Sequence, residues 1–162
     1  MLDRLTADEL LAEARRGLKR LTPADAAAAM AAGAVLVDIR SELQRERDGV
    51  VPGSVFFPRN VLEWRCDPAS PYRDERVSDA SRTLIVMCDE GYQSSLAAAN
   101  LRRLGFDDAA DLDGGFRAWL AAGLPVAQAD GGDGGSGASG PAGAGGGSAA
   151  AGGGAASGNE PA

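Results

Sequence analysis

The stretch Thr83–Phe106, "TLIVMCDEGYQSSLAAANLRRLGF", limits the possible folds more than any other part of the chain. Its apolar run is too short for a helix and reads as a strand buried on both faces. A polar turn containing Gly91 follows at once. A helical run comes next, with Ser94 or Ser95 as the expected cap and an end near Leu104. Gly105 then stops the helix and lets Phe106 fold back on Leu101, as in a Schellman motif. A buried strand feeding straight into a helix belongs to an α/β fold with a mainly parallel sheet. In such sheets ligands sit beyond the carboxyl ends of the strands, and Cys88 stands at that end.

The remaining segments repeat this grammar. "TADELLAEARRGL" opens with Thr6 and Glu9 at capping-box spacing, and Leu10, Leu11, Ala14 and Leu18 fall on one helical face. An amphipathic helix is therefore expected within residues 1–18. Thr22, Pro23 and Gly33 suit the cap, first position and end of a second helix. "AVLVDI" is a second buried strand. A Pro52-Gly53 turn leads into a short strand over Ser54–Phe57, and "NVLEWR" makes one or two helical turns. "CDPASPYRDERVSD" reads as a surface loop. "AADL" is a last short strand, and "GGFRAWLAAG" a last helix closed by Gly123 and Pro125. From about Gln128 onward the sequence is nearly all Gly, Ala, Ser and Asp, which cannot bury enough apolar surface to order itself. A disordered tail is expected over 128–162.

The chain has 23 acidic and 16 basic residues among 162, a net charge of −7. An acidic chain without a basic stripe argues against nucleic acid or an anionic membrane surface as partner. No apolar run could span a bilayer, and the first residues lack the apolar core and cleavage site of a signal peptide. A cytoplasmic protein is expected. Histidine is absent, which removes every Cys–His dyad and the common zinc ligand. Cys66 and Cys88 are too few for a metal site or a disulfide framework, so no cofactor or metal is expected. Any chemistry must run on a thiol without an imidazole.

A helix N-terminus can supply what such a thiol needs. Its free N–H groups and dipole favour negative charge. A tight loop from Cys88 to Ser94 could aim several backbone N–H groups at one sulfur, with Gly91 allowing the turn. Asp89 and Glu90 would oppose a thiolate if they pointed inward. They must face solvent, or the thiol's reaction partner is not a small oxyanion but a neutral or cationic molecule or a protein.

These residues fit a known pattern. "LTPADAAAAM", "LVDIR", "GVVPGSVFFP", "MCDEGYQSS" and "DLDGGFRAWLAAGLPV" occur in the order and spacing of the rhodanese-like domains, and the chain resembles that family from Arg20 to Val126. Val50 stands where the family often has histidine, and Gln93 where its loop often has arginine. The resemblance implies a central, mainly parallel five-stranded sheet flanked by helices on both faces, over residues 19–127. It also implies sulfane-sulfur transfer: Cys88 attacks a small sulfur-containing donor such as thiosulfate or a persulfide, and a thiol or other nucleophile takes the sulfur from the resulting Cys88 persulfide. Asp89, Glu90, Gly91, Tyr92 and Gln93 would then form the anion cradle, with Ser94 closing it. The alternative is a catalytically weak module of the same fold that binds a partner or senses persulfide or oxidant.

Other residues have plainer expectations. Arg59 could reach the pocket mouth and stand in for the missing loop arginine, and Arg65 less so. Cys66 is expected to be a semi-exposed or loop-packed thiol, with a resolving partner for Cys88 as the other reading; Trp64 either packs or lines the pocket, the Phe116/Trp119 pair packs in the core, and Tyr92 is an exposed loop tip. Asp38 and Arg40 should hydrogen-bond at the end of their strand. A phosphatase of similar fold needs C-x5-R, and the arginine position here is Ser94.

Overall fold

Alternation along the strands decides what each residue meets. In the computed structural model, which describes residues 4–130, Leu84, Val86 and Cys88 turn to one face of the sheet and Ile85 and Met87 to the other. The expected tail lies outside the described residues from position 131 on. Among the described residues five strands pair in parallel: β1 (Lys19–Leu21), β2 (Val35–Asp38), β3 (Val55–Phe56), β4 (Leu84–Met87) and β5 (Ala110–Leu112). Their order is β1-β5-β4-β2-β3. The central position of β4 accounts for its uniformly apolar sequence, since both its faces and both its edges are covered.

The helices are α1 (Ala7–Arg15), α2 (Pro23–Ala31), α3 (Glu42–Asp48), α4 (Leu62–Cys66), α5 (Gln93–Arg103) and α6 (Gly115–Ala121), with a 3-10 turn over Arg59–Val61 leading into α4. One core joins Leu84 and Val86 to Leu62, Ala97, Ala98, Leu101 and Phe106, on the side of α4 and α5. The other joins Ile85 and Met87 to Ala26, Phe116 and Trp119, on the side of α2 and α6. Helices therefore flank both faces, as expected.

Local signals behave as their chemistry dictates. Thr6 and Glu9 form the capping box of α1, and Thr22 caps α2 with Pro23 at its first turn. At the end of α5, Phe106 N–H donates to Leu101 O and Gly105 N–H to Arg102 O, and both apolar partners are fully buried. Three expectations shift. Helix α1 ends at Arg15, so Leu18 lies beyond it, yet it is buried against the sheet. The strand expected over Ser54–Phe57 is only Val55–Phe56. Neither Ser94 nor Ser95 caps α5, because the helix starts earlier, at Gln93 after Tyr92, and no side chain caps it.

Candidate active site

Cys88 follows the last residue of β4, and the chain must turn there to enter α5. The turn is possible because Gly91 has φ +85, and a Cβ at that position would lie 2.8 Å from Gly114 N. The loop is seated on the start of α6. Phe116 N–H donates to Cys88 O at 2.9 Å and Arg117 N–H to Asp89 O at 3.0 Å. Gly115 makes the approach possible, since any Cβ there would collide with the Cys88 and Asp89 backbone. The Gly-Gly pair that opens α6 is therefore a platform for the thiol loop.

The sulfur receives Gly91 N–H at 3.2 Å and Ser94 N–H at 3.3 Å, and Ser94 Oγ lies 3.3 Å away. The loop glycine and the first turn of α5 thus each point one main-chain N–H at Sγ, an arrangement suited to a thiolate. Cys88 is 7% exposed, and it opens into a cavity of about 540 Å³. Asp89, Glu90, Tyr92 and Gln93 line this cavity, together with Arg59 and with Arg40, Ser41 and Gln44 near the start of α3. Of the expected cradle, then, Gly91 and Ser94 reach the sulfur through hydrogen bonds and the other four residues form the wall above it.

The acids split. Glu90 is exposed, whereas Asp89 is half-buried and turns toward α6, where its carboxylate meets Arg117 Nε at 3.2 Å. The expectation that both acids face solvent thus fails for Asp89, because Arg117 offers it a charge partner beside the loop. Arg117 also reaches Asp48 at 2.8 Å. Asp48, bonded first to Arg47, has its carboxyl held down at about 2. Arg59 stands at the cavity wall but is bound to Glu63 at 2.8 Å. Arg65 lies elsewhere, donating to Tyr72 O. Trp64 is 57% exposed rather than packed, because α4 is so short that its outer side has nothing to cover it.

Asp38 and Arg40 form the expected structural pair, with two side-chain bonds at 3.1 and 2.8 Å, both side chains fully buried. The Arg40 guanidinium stacks 3.6 Å over the Phe116 ring. Cys66 is not semi-exposed in a loop but the fully buried last residue of α4, packed in the core, and burial, with Glu63 and Asp74 nearby, pushes its thiol up to about 12. Tyr92 is 58% exposed at the loop tip, as expected.

A second layer behind the loop was not anticipated. Asp111 is fully buried on β5 and accepts from Ser95 Oγ at 2.6 Å and Ser94 Oγ at 3.3 Å. Arg20 pairs with it at 3.1 Å. Gly91 O accepts from Arg15 Nη2 at 2.8 Å and Arg20 Nη2 at 3.2 Å, and Ser95 Oγ, whose one proton goes to Asp111, lies 3.3 Å from it. An acid inside the apolar strand "AADL" was the one available signal. Nothing in the local pattern of Arg15 or Arg20 marks them.

The model of the rhodanese-like domain matches residues 22–122. The chain belongs to the rhodanese-like domain family. Among curated rhodanese-like relatives, the thiosulfate sulfurtransferase GlpE of Pseudomonas savastanoi pv. phaseolicola is 35% identical over 103 residues, covering 64% of this chain and 88% of that protein. The thiosulfate sulfurtransferase GlpE of Pseudomonas syringae pv. syringae is 37% identical over 101 residues, covering 62% and 86%. A solved structure from Rhodopseudomonas palustris, described as a protein of unknown function and possible tyrosine phosphatase, superposes with a TM-score of 0.70 at 36% identity, covering 78% of this chain and 99% of that one.

Proposed function

We propose that the chain is a sulfurtransferase that carries sulfane sulfur on Cys88. The observation that carries this reading is the pair of main-chain N–H groups, from Gly91 and Ser94, that converge on Sγ at the floor of an open cavity. In the first half-reaction the thiolate attacks the outer sulfur of the donor. The Sγ–S bond forms as the donor S–S bond breaks, and sulfite or a thiolate departs with the electron pair. In the second, a nucleophilic acceptor attacks the outer sulfur, the Sγ–S bond breaks, and the Cys88 thiolate returns. The main-chain donors serve each anionic state in turn.

Thiosulfate, the donor in the names of the relatives, is a better candidate than the loop sequence alone suggests. Asp89 is paired with Arg117, so Glu90 remains the one loop acid without an arginine partner among the described residues. Low-molecular-weight persulfides fit the same cavity. The acceptor is proposed to be a small thiol or a thiol-bearing protein. Both cysteines are free, which suits the reducing cytoplasm as the place of reaction. A phosphatase reading would need a guanidinium where Ser94 stands, and Ser94 already engages Sγ through its N–H and hydroxyl.

The test is intact-mass measurement after incubation with thiosulfate and, separately, with a low-molecular-weight persulfide. A gain of one sulfur atom in the native chain, absent in Cys88→Ser, is expected. No gain with either donor would overturn the reading and leave a binding or sensing module.

A further inference from the structure

Two guanidinium groups converge on one main-chain carbonyl, and sulfur chemistry at Cys88 does not by itself call for them. Gly91 O accepts from two guanidinium groups, which saturates an oxygen with two lone pairs. The two arginines come from α1 and β1, ahead of the segment that matches the family model. Arg20 is balanced by Asp111 and by Asp113 at 2.8 Å. Arg15 has no carboxylate partner among the described residues. Its bonds go to Ser95 Oγ at 3.0 Å and Gly91 O, and its guanidinium lies 5.7 Å from the Tyr92 ring centre.

We infer that Arg15 and Arg20 are positioning residues that hold the Cys88 loop in its sulfur-facing form, an inference that rests on the sulfurtransferase reading. A trans peptide is planar, with its C=O and N–H pointing opposite ways. Tying the Gly91 carbonyl to Arg15 and Arg20 therefore fixes the plane of the peptide that carries the Tyr92 N–H, in a loop whose Tyr92 lines the cavity. The same tether fixes Gly91, whose own N–H meets Sγ. It also places two positive charges behind a loop that carries none. The charged groups around the sulfur are Asp89 and Glu90 on the loop, Asp111 on β5, Arg15 on α1, Arg20 on β1, Arg40 after β2, Arg59 after β3 and Arg117 on α6. Of these cations, Arg15 and Arg20 alone bind the loop's apex.

Arg20 variants would also strip Asp111 of its partner, so Arg15 is the decisive position. In the full chain, Arg15→Met removes the charge and the forked donor while keeping a long side chain over Tyr92. Two readouts apply: the pH profile of iodoacetamide alkylation at Cys88, and the rate of sulfur loading from thiosulfate. The expected result is an alkylation profile moved to higher pH and loading slowed about tenfold, the worth of one of the two charge-assisted hydrogen bonds lost, in a variant that still unfolds cooperatively. Arg15→Lys should recover part of both. If Arg15→Met does not fold, Arg15→Gln, a neutral donor, is read in its place. An unmoved profile with native loading in a folded Arg15 variant overturns the inference. If the native chain takes up no sulfur, the sulfurtransferase reading fails, and the alkylation profile still decides the role of Arg15.

Discussion

Gly115→Ala should cost far more than one methyl group suggests. Gly115 has φ +61, a conformation that costs an L-residue roughly 1–2 kcal/mol. The new Cβ would lie 2.6 Å from Asp89 O and 2.7 Å from Cys88 O. Both are main-chain atoms, with no side-chain torsion to relieve the overlap. The loop must lift off α6, which removes the Phe116 N–H bond to Cys88 O and the Arg117 N–H bond to Asp89 O. At about 1 kcal/mol each, these bring the expected loss to about 3–4 kcal/mol. Gly123→Ala is the control. Its φ is +67 and a Cβ there meets nothing, so only the backbone cost of about 1–2 kcal/mol applies. Urea unfolding of both variants measures the difference, and sulfur loading at Cys88 shows whether the loop has moved. Gly115→Ala should lose about 2 kcal/mol more than Gly123→Ala and load sulfur more slowly, while the control loads like the native chain. Equal losses with native loading in both would refute the idea that the thiol loop depends on its seat on α6.

Two further outcomes follow from the titrating groups. Cys66, its thiol pushed up to about 12 by burial, should resist alkylation at pH 8 in the folded chain and react once the chain is unfolded, as read by peptide mass. Asp48, held at about 2 against an ordinary 3.8 chiefly by the Arg47 hydrogen bond, adds stability above its ordinary value and loses it as pH falls from about 4 towards 2. The stability gap between native chain and Asp48→Asn should therefore close across that window in acid-unfolding curves, and a gap that stays constant would count against the pairing.

The sequence announced what local chemistry controls. The central strand β4, the caps at Thr6 and Thr22 and the end of α5 at Gly105 all show in the spelling, because each rests on residues close together in the chain. Helix α3 was passed over although Ser41 and Gln44 form a capping box, because "ELQRERD" has no apolar face to register as helical. Strand β1 was missed for a related reason. "KRL" is a sheet edge with one buried residue, and its pairing to β5 lies some ninety positions along the chain. At the site, the thiol, the turn glycine and the first helical turn were legible. The partnership of Asp89 with Arg117, and of Arg15 and Arg20 with Gly91, was not, since these contacts exist only after the chain has folded.

The outermost strands, β1 and β3, are three and two residues long, and Pro58 follows closely on β3. Each border leaves few unpaired main-chain groups for a neighbouring molecule to zip onto. Another copy of the chain thus has little opportunity to add a strand to this sheet, and crowding should favour separate molecules over stacked ones.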